Sequence, residues 1–113
     1  MVGATVALRG EVWVAALPGP AGPHPVVVLT ANRIAAPLSA VTVAVITGTT
    51  GPTVTHVPVG AGSGLKKYDE SFVNCTDLHT VAKQRLRRRL GLLAPAELRR
   101  VEDTVRLTLG LQL

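Results

Sequence analysis

Residues 18–23 read Pro-Gly-Pro-Ala-Gly-Pro, and no other stretch limits the possible folds as strongly. Proline lacks a backbone donor and glycine raises the entropic cost of ordering, so this segment makes neither helix nor central sheet. It is a loop, and both of its flanks read as strands. Before it, Gly10–Leu17 carries β-branched and aromatic residues at Val12, Trp13 and Val14. After it, Val26–Thr30 is a continuous apolar run, the pattern of a strand buried on both faces.

The same punctuation continues downstream. Asn32–Ala36 has room for one helical turn before Pro37. Val41–Thr47 forms a strand, Gly48–Pro52 turns the chain, and Thr53–Val59 returns as a hairpin mate that Pro58 marks as an edge or bulged strand. Residues 60–67 contain three glycines with Ser63, Lys66 and Lys67 and read as a mobile surface loop. Its Gly-x-Gly lacks the strand–loop–helix context of a nucleotide site. Further short strands are predicted at Ser71–Asn74, Leu78–Val81 and Arg87–Leu92.

Only Pro95–Leu109 keeps a helical period, with Leu98, Val101, Val105 and Leu109 in one stripe, Pro95 in the first turn and Glu97 near the positive end of the dipole. Leu107 and Leu111 fall off that stripe and predict a second packing surface, such as a dimer mate. These elements predict one mainly β domain over residues 1–113, a small antiparallel barrel of five to seven strands with short helical turns and a C-terminal helix.

At 113 residues the chain is long enough to bury about two-thirds of its unfolded surface. The single cysteine, Cys75, cannot form an internal disulfide, which points to reducing surroundings. No apolar run reaches membrane-spanning length, and the first eight residues lack the basic region and the length of a signal peptide. Apolar residues make up 47% of the chain and charged ones 17%, a balance suited to a surface partly covered by a second subunit.

Charge is concentrated late. Residues 1–65 carry a net +1 and residues 66–113 a net +4, and five of the seven residues from Lys83 to Arg89 are basic. Such a run is either a solvated face or a contact for an anionic partner, nucleic acid first. With no Trp or Phe interleaved, it suits phosphate contacts better than base stacking.

No H-x-x-x-H, C-x-x-C or acidic triplet provides metal-ligand spacing, so neither a metal nor a cofactor is expected. Of the three histidines, His24 has the most suggestive place, between Pro23 and Pro25 at the mouth of a buried strand. Imidazole titrates near neutrality, so it can take a proton from a ribose hydroxyl or give one to a leaving oxygen. A surface histidine without function fits the same position. His56 reads as a solvent-facing or pairing residue of an edge strand. His79 lies close to the basic run, either as a plain strand residue or as an RNA contact. Thr47 ends an apolar strand before Gly48-Thr49-Thr50, where a hydroxyl and backbone donors can hold a phosphoryl oxygen, although such turns also satisfy themselves. No G-x-S-x-G elbow is present.

Several pieces of the chain together resemble the MazF/PemK/ChpA family of toxin endoribonucleases. They are Arg9-Gly10-Glu11-Val12-Trp13, then Gly22-Pro23-His24-Pro25-Val26-Val27-Val28-Leu29, then Val45-Ile46-Thr47. Ser71–Val81, Arg89-Leu90-Gly91 and the terminal helix continue the match, which covers roughly residues 9–111. The resemblance implies an SH3-like small barrel working as a homodimer in the bacterial cytoplasm. It also implies metal-free cleavage of single-stranded RNA, giving 2′,3′-cyclic phosphate and 5′-hydroxyl ends. The implied protein partner is an antitoxin whose acidic and hydrophobic tail covers the active sites, with operator DNA reached only through the antitoxin complex.

In that pattern an arginine at the start of the second strand acts with the threonine that ends the third. Here Thr47 matches the threonine and His24 stands at the arginine position; Val45 replaces a proline, and the fifth-strand aspartate falls one place late, in Thr76-Asp77. Arginine is a fixed cation with five donors, whereas imidazole moves protons, so the exchange changes the chemistry available. His24 and Thr47 are accordingly the expected catalytic residues. Arg9, His79, Lys83, Arg85, Arg87, Arg88 and Arg89 are the expected RNA contacts. The alternative is a weakened relative that binds RNA or sequesters antitoxin. Loops 18–23, 48–52 and 60–69 are expected to shape recognition.

Overall fold

A computed structural model describes residues 5–65 and 70–112. Six strands form one antiparallel sheet: β1 (Glu11–Ala16), β2 (Pro23–Val28), β3 (Ala40–Thr47), β4 (His56–Val59), β5 (Ser71–Ala82) and β6 (Leu86–Leu92). A single helical turn, α1 (Asn32–Ala35), joins β2 to β3, and α2 (Pro95–Leu109) closes the chain. The strand order is β4-β5-β3-β2-β1-β6.

The expected SH3-like barrel is therefore corrected: the sheet is open, with β4 and β6 at its two edges and no ladder between them. The hairpin expected between Val41–Thr47 and Thr53–Val59 does not form: Pro52–Thr55 turns on itself, and the four residues left as β4 pair with β5, through Val57 and Val73, with Pro58 at the sheet edge as expected. β6 pairs with β1 on one side, and the chain that follows β4 packs against its residues Leu90 and Gly91. A Cβ on Gly91 would fall 2.5 Å from the Ser63 carbonyl carbon, and one on Gly64 would strike the Leu90 carbonyl. The described part of the presumed mobile loop is thus packed, with Ser63 fully buried and its Oγ donating to Gly60 O at 2.7 Å. Lys66 and Lys67 of that loop lie outside the described residues.

The two strands expected at Ser71–Asn74 and Leu78–Val81 are one twelve-residue strand with a bulge. Ala44 pairs with Leu78 while the next residue, Val45, pairs with Asn74, which leaves Cys75, Thr76 and Asp77 without partners on β3. The bulge is satisfied locally. Asn74 Oδ1 accepts from the Thr76 amide and hydroxyl, and the Cys75 amide donates to Thr55 O at 2.9 Å.

Alternation divides the core in two. One face carries Val12, Val27, Ala44, Ile46, Val73 and Cys75 against Leu98, Val101 and Val105 of α2. The other carries Ala15, Leu17, Val26, Val28, Val43 and Val45, with Ala35 of α1 and the partly covered Trp13. α2 starts as expected: Glu97 accepts the Ala94 amide at 2.8 Å, and its other oxygen accepts the Gly60 amide at 2.6 Å. Gly110 ends it in the left-handed region at φ 68°. Of the predicted stripe, Leu98, Val101 and Val105 pack, whereas Leu109 is exposed together with Leu107 and Leu111.

Candidate active site

A cleft of about 350 Å³ opens on the sheet face opposite α2, lined by Leu17, Pro18, His24, Val45, Thr47, Asn74, Asp77 and His79. Four segments build it. β2 and β3 pair through Val26–Val45 and Val28–Val43, and continuing that register sets His24 opposite Thr47 at the end of the ladder. Residues an even number apart on a strand share a face, so His24 follows Val26 and Thr47 follows Val45 onto the cleft side. Pro23 and Pro25 fix φ on both sides of His24, and pairing of His24 with Ala15 of β1 holds its backbone. Among the described residues, no hydrogen bond engages the His24 ring.

The Thr47 hydroxyl oxygen accepts the Thr49 amide at 3.1 Å. That bond orients the side chain and leaves its own hydrogen available to an incoming acceptor. From β5, His79 reaches the cleft with its Nε2 at 2.7 Å from Asp77 Oδ1. Asn74, which pairs with Val45, sits at the far wall with its carbonyl oxygen committed to Thr76.

Three of the residues expected from the sequence, His24, Thr47 and His79, are thus brought together. The remaining basic residues are placed elsewhere. The Arg9 guanidinium donates to Leu29 O and pairs with Glu102 on α2. Lys83 Nζ donates to the Ala35 carbonyl at 2.7 Å and so covers the end of α1. Arg85 reaches Ala16 O at 3.3 Å, and Arg89 Nε donates to Glu11 Oε2 at 2.6 Å. Arg87 and Arg88 are exposed on β6, and no side-chain partner is found for them among the described residues.

Asn74 and Asp77 were not among the expected site residues. The signal for Asp77 was its spacing from His79: two residues apart in a strand, the pair shares a face. Two separate strands over Ser71–Asn74 and Leu78–Val81 leave Asp77 between them, off any shared face with His79. Cys75, between them, points the other way and is buried, which pushes its thiol up to about 11. Among the described residues, no three His, Cys, Asp or Glu side chains cluster in a manner that could hold a metal ion, and no helix is long and apolar enough to cross a membrane.

Comparison with known proteins gives a consistent result. The chain is 36% identical over 102 residues to a Mycobacterium tuberculosis protein named "Probable endoribonuclease MazF2", covering 90% of this chain and 97% of that one. It matches the structure of an endoribonuclease in complex with its cognate antitoxin from a mycobacterial species, at 25% identity and TM-score 0.83, over 94% of this chain and 97% of that one. The Mycobacterium tuberculosis toxin MazF-mt6 matches at 29% identity and TM-score 0.80, over 91% and 99% of the two chains. Residues 8–109 fit the family model described as PemK-like, MazF-like toxin of type II toxin-antitoxin system, and the chain belongs to that family.

Proposed function

We propose that this chain is the toxic component of a type II toxin–antitoxin system and acts as a sequence-specific endoribonuclease on single-stranded RNA. The observation that carries this reading is the convergence of His24 and Thr47 in one cleft, in a chain of the toxin family. Cleavage proceeds by attack of the ribose 2′-oxygen on the adjacent phosphorus while the bond to the 5′-oxygen breaks. The products are a 2′,3′-cyclic phosphate and a 5′-hydroxyl. Such a reaction needs proton transfer at two oxygens and donors around the charge that builds on phosphorus.

His24 moves a proton, since it lines the cleft and no hydrogen bond engages its ring among the described residues. Thr47 donates its hydroxyl hydrogen to a nonbridging oxygen while its oxygen is held by the Thr49 amide. Arg87 and Arg88, exposed on the edge strand β6, bind flanking phosphates. Arg9 and Lys83 are engaged within the chain, whereas Arg85 and Arg89 each commit one donor there and keep the others for phosphate. The exposed Leu107, Leu109 and Leu111 of the C-terminal segment support a homodimer that covers them. The expected protein partner is an antitoxin with an acidic, hydrophobic C-terminal tail, and no cofactor takes part.

The test is cleavage of a long in vitro transcript with and without EDTA, followed by end-group analysis. Cyclic phosphate and 5′-hydroxyl ends that form equally well in EDTA are expected. Ends bearing a 3′-hydroxyl, or loss of activity in EDTA, would overturn the metal-free scheme. Intact RNA that the protein nonetheless binds would instead mark a sequestering relative.

A further inference from the structure

We propose that His79, positioned by Asp77, is the second proton-transfer group of the cleft, accepting the 2′-hydroxyl proton while His24 protonates the departing 5′-oxygen. This rests on the endoribonuclease reading above and assigns its two proton transfers.

The assignment follows from what each ring can do. A carboxylate only accepts hydrogen bonds, so the 2.7 Å contact to Asp77 Oδ1 requires the hydrogen on His79 Nε2. In the neutral ring Nδ1 is then bare, and it is the nitrogen left to meet substrate. A carboxylate that fixes both tautomer and orientation is the arrangement that makes an imidazole a base. His24 has no such anchor among the described residues, and in its charged form both of its nitrogens carry hydrogen.

Position supports the pairing. Asp77 lies in the β5 bulge, where three residues lack partners on β3, and the bulge turns its carboxylate into the cleft beside His79. The two side chains remain 46% and 35% exposed, so a substrate can reach them, and a pair so exposed adds little to stability. The titratable groups lining the cleft are His24 from β2 and Asp77 and His79 from β5. β3 contributes only Val45 and Thr47, and the segment after β1 only Leu17 and Pro18.

The step balances. The 2′-oxygen gives its proton to His79 Nδ1 and bonds to phosphorus; the bond from phosphorus to the 5′-oxygen breaks, and that oxygen takes a proton from the His24 imidazolium. The enzyme ends with His79 charged and His24 neutral, and exchange with water restores both.

The experiment uses a short oligoribonucleotide spanning a site first mapped on a transcript with the wild-type chain. His79→Gln keeps an amide donor for Asp77 and so protects the fold, while it removes proton transfer. It should lower kcat by about 100-fold or more with RNA binding and melting temperature retained, and His24→Ala should do likewise. A second oligonucleotide carries sulfur in place of the scissile 5′-oxygen, and a thiolate leaves without an acid. That substrate should restore His24→Ala to near wild-type rates and leave His79→Gln slow. Asp77→Asn should lower kcat by roughly 10-fold or more with KM unchanged, and Asp77→Glu should recover part of the loss, as for an orienting carboxylate. Wild-type rates in His79→Gln, or its rescue by the sulfur substrate, would overturn the assignment. A wild-type chain that cleaves no transcript would overturn the endoribonuclease reading beneath it.

Discussion

Replacing Glu11 by glutamine tests how the first strand is tied to the last. Glu11 is only 7% exposed. Its Oε1 accepts the Leu8 amide at 2.6 Å and the Trp13 indole N–H at 3.3 Å, and its Oε2 accepts Arg89 Nε at 2.6 Å. Burial by itself pushes this carboxyl up. The Leu8 amide, the Arg89 and Trp13 hydrogen bonds and the Arg89 charge outweigh that and hold it below the ordinary carboxylate value. Glutamine keeps one acceptor oxygen for Leu8 and Trp13 but turns a donor toward Arg89. A hydrogen bond to a charged group is worth about 1.5–3 kcal/mol. The Arg89 side chain is 49% exposed and regains water when released, so the low end applies and the expected loss is about 2 kcal/mol.

The pH dependence fixes the cause of that loss. A carboxyl held low in the folded state contributes fully above its unfolded value of about 4.3, and the contribution disappears as pH falls through the folded value. Protonated Glu11 is nearly isosteric with glutamine. Urea unfolding at pH 7 should therefore separate wild type from Glu11→Gln by about 2 kcal/mol, and the gap should close toward zero as the pH is lowered past the folded value. A gap of unchanged size in acid would refute the charge argument. No gap at pH 7 would refute the network, and Arg89→Ala in a double-mutant cycle isolates its central pair.

In RNA cleavage, His24→Ala should reduce the rate by on the order of 100-fold or more and Thr47→Ala by roughly 10- to 100-fold, because the second removes one neutral donor from a set. Replacing Arg87 and Arg88 with alanine should weaken binding to unrelated single-stranded RNAs about equally and reduce the salt dependence, as measured by filter binding; a changed sequence preference would make them base readers. Gly91→Ala places a Cβ 2.5 Å from Ser63 backbone and should cost about 2 kcal/mol or more, or prevent folding, as followed by circular dichroism. Cys75, fully buried with its thiol raised to about 11, should stay unmodified by a thiol reagent at pH 7.5 until urea unfolds the chain.

Local rules made much of this molecule legible. Valine-rich runs closed by proline or glycine located β1, β2 and β3, since side-chain branching and the missing proline donor act on a few neighbouring residues. The same reasoning found α2 from its apolar period, with Pro95 in the first turn and Glu97 near the positive end of the dipole. It also placed His24 and Thr47 at strand ends, and the resemblance to the toxin family attached roles to them.

Contacts between distant residues were not legible. Arg9 and Glu102 are separated by 93 positions and Lys83 and Ala35 by 48, so nothing in their neighbourhoods announces either contact. A basic run on paper thus became largely a set of internal ties. The continuity of β5 through its bulge depends on β3 lying alongside to keep the register on both sides. That continuity decides that Asp77 meets His79. Whether the sheet closes is likewise a tertiary matter. The chain after β4 packs on Leu90 and Gly91 and hydrogen-bonds to Glu97, leaving β4 and β6 unpaired with each other. Strand propensity is a property of a few adjacent residues, whereas closure depends on which surfaces compete for the same edge, and that competition exists only once the chain has folded.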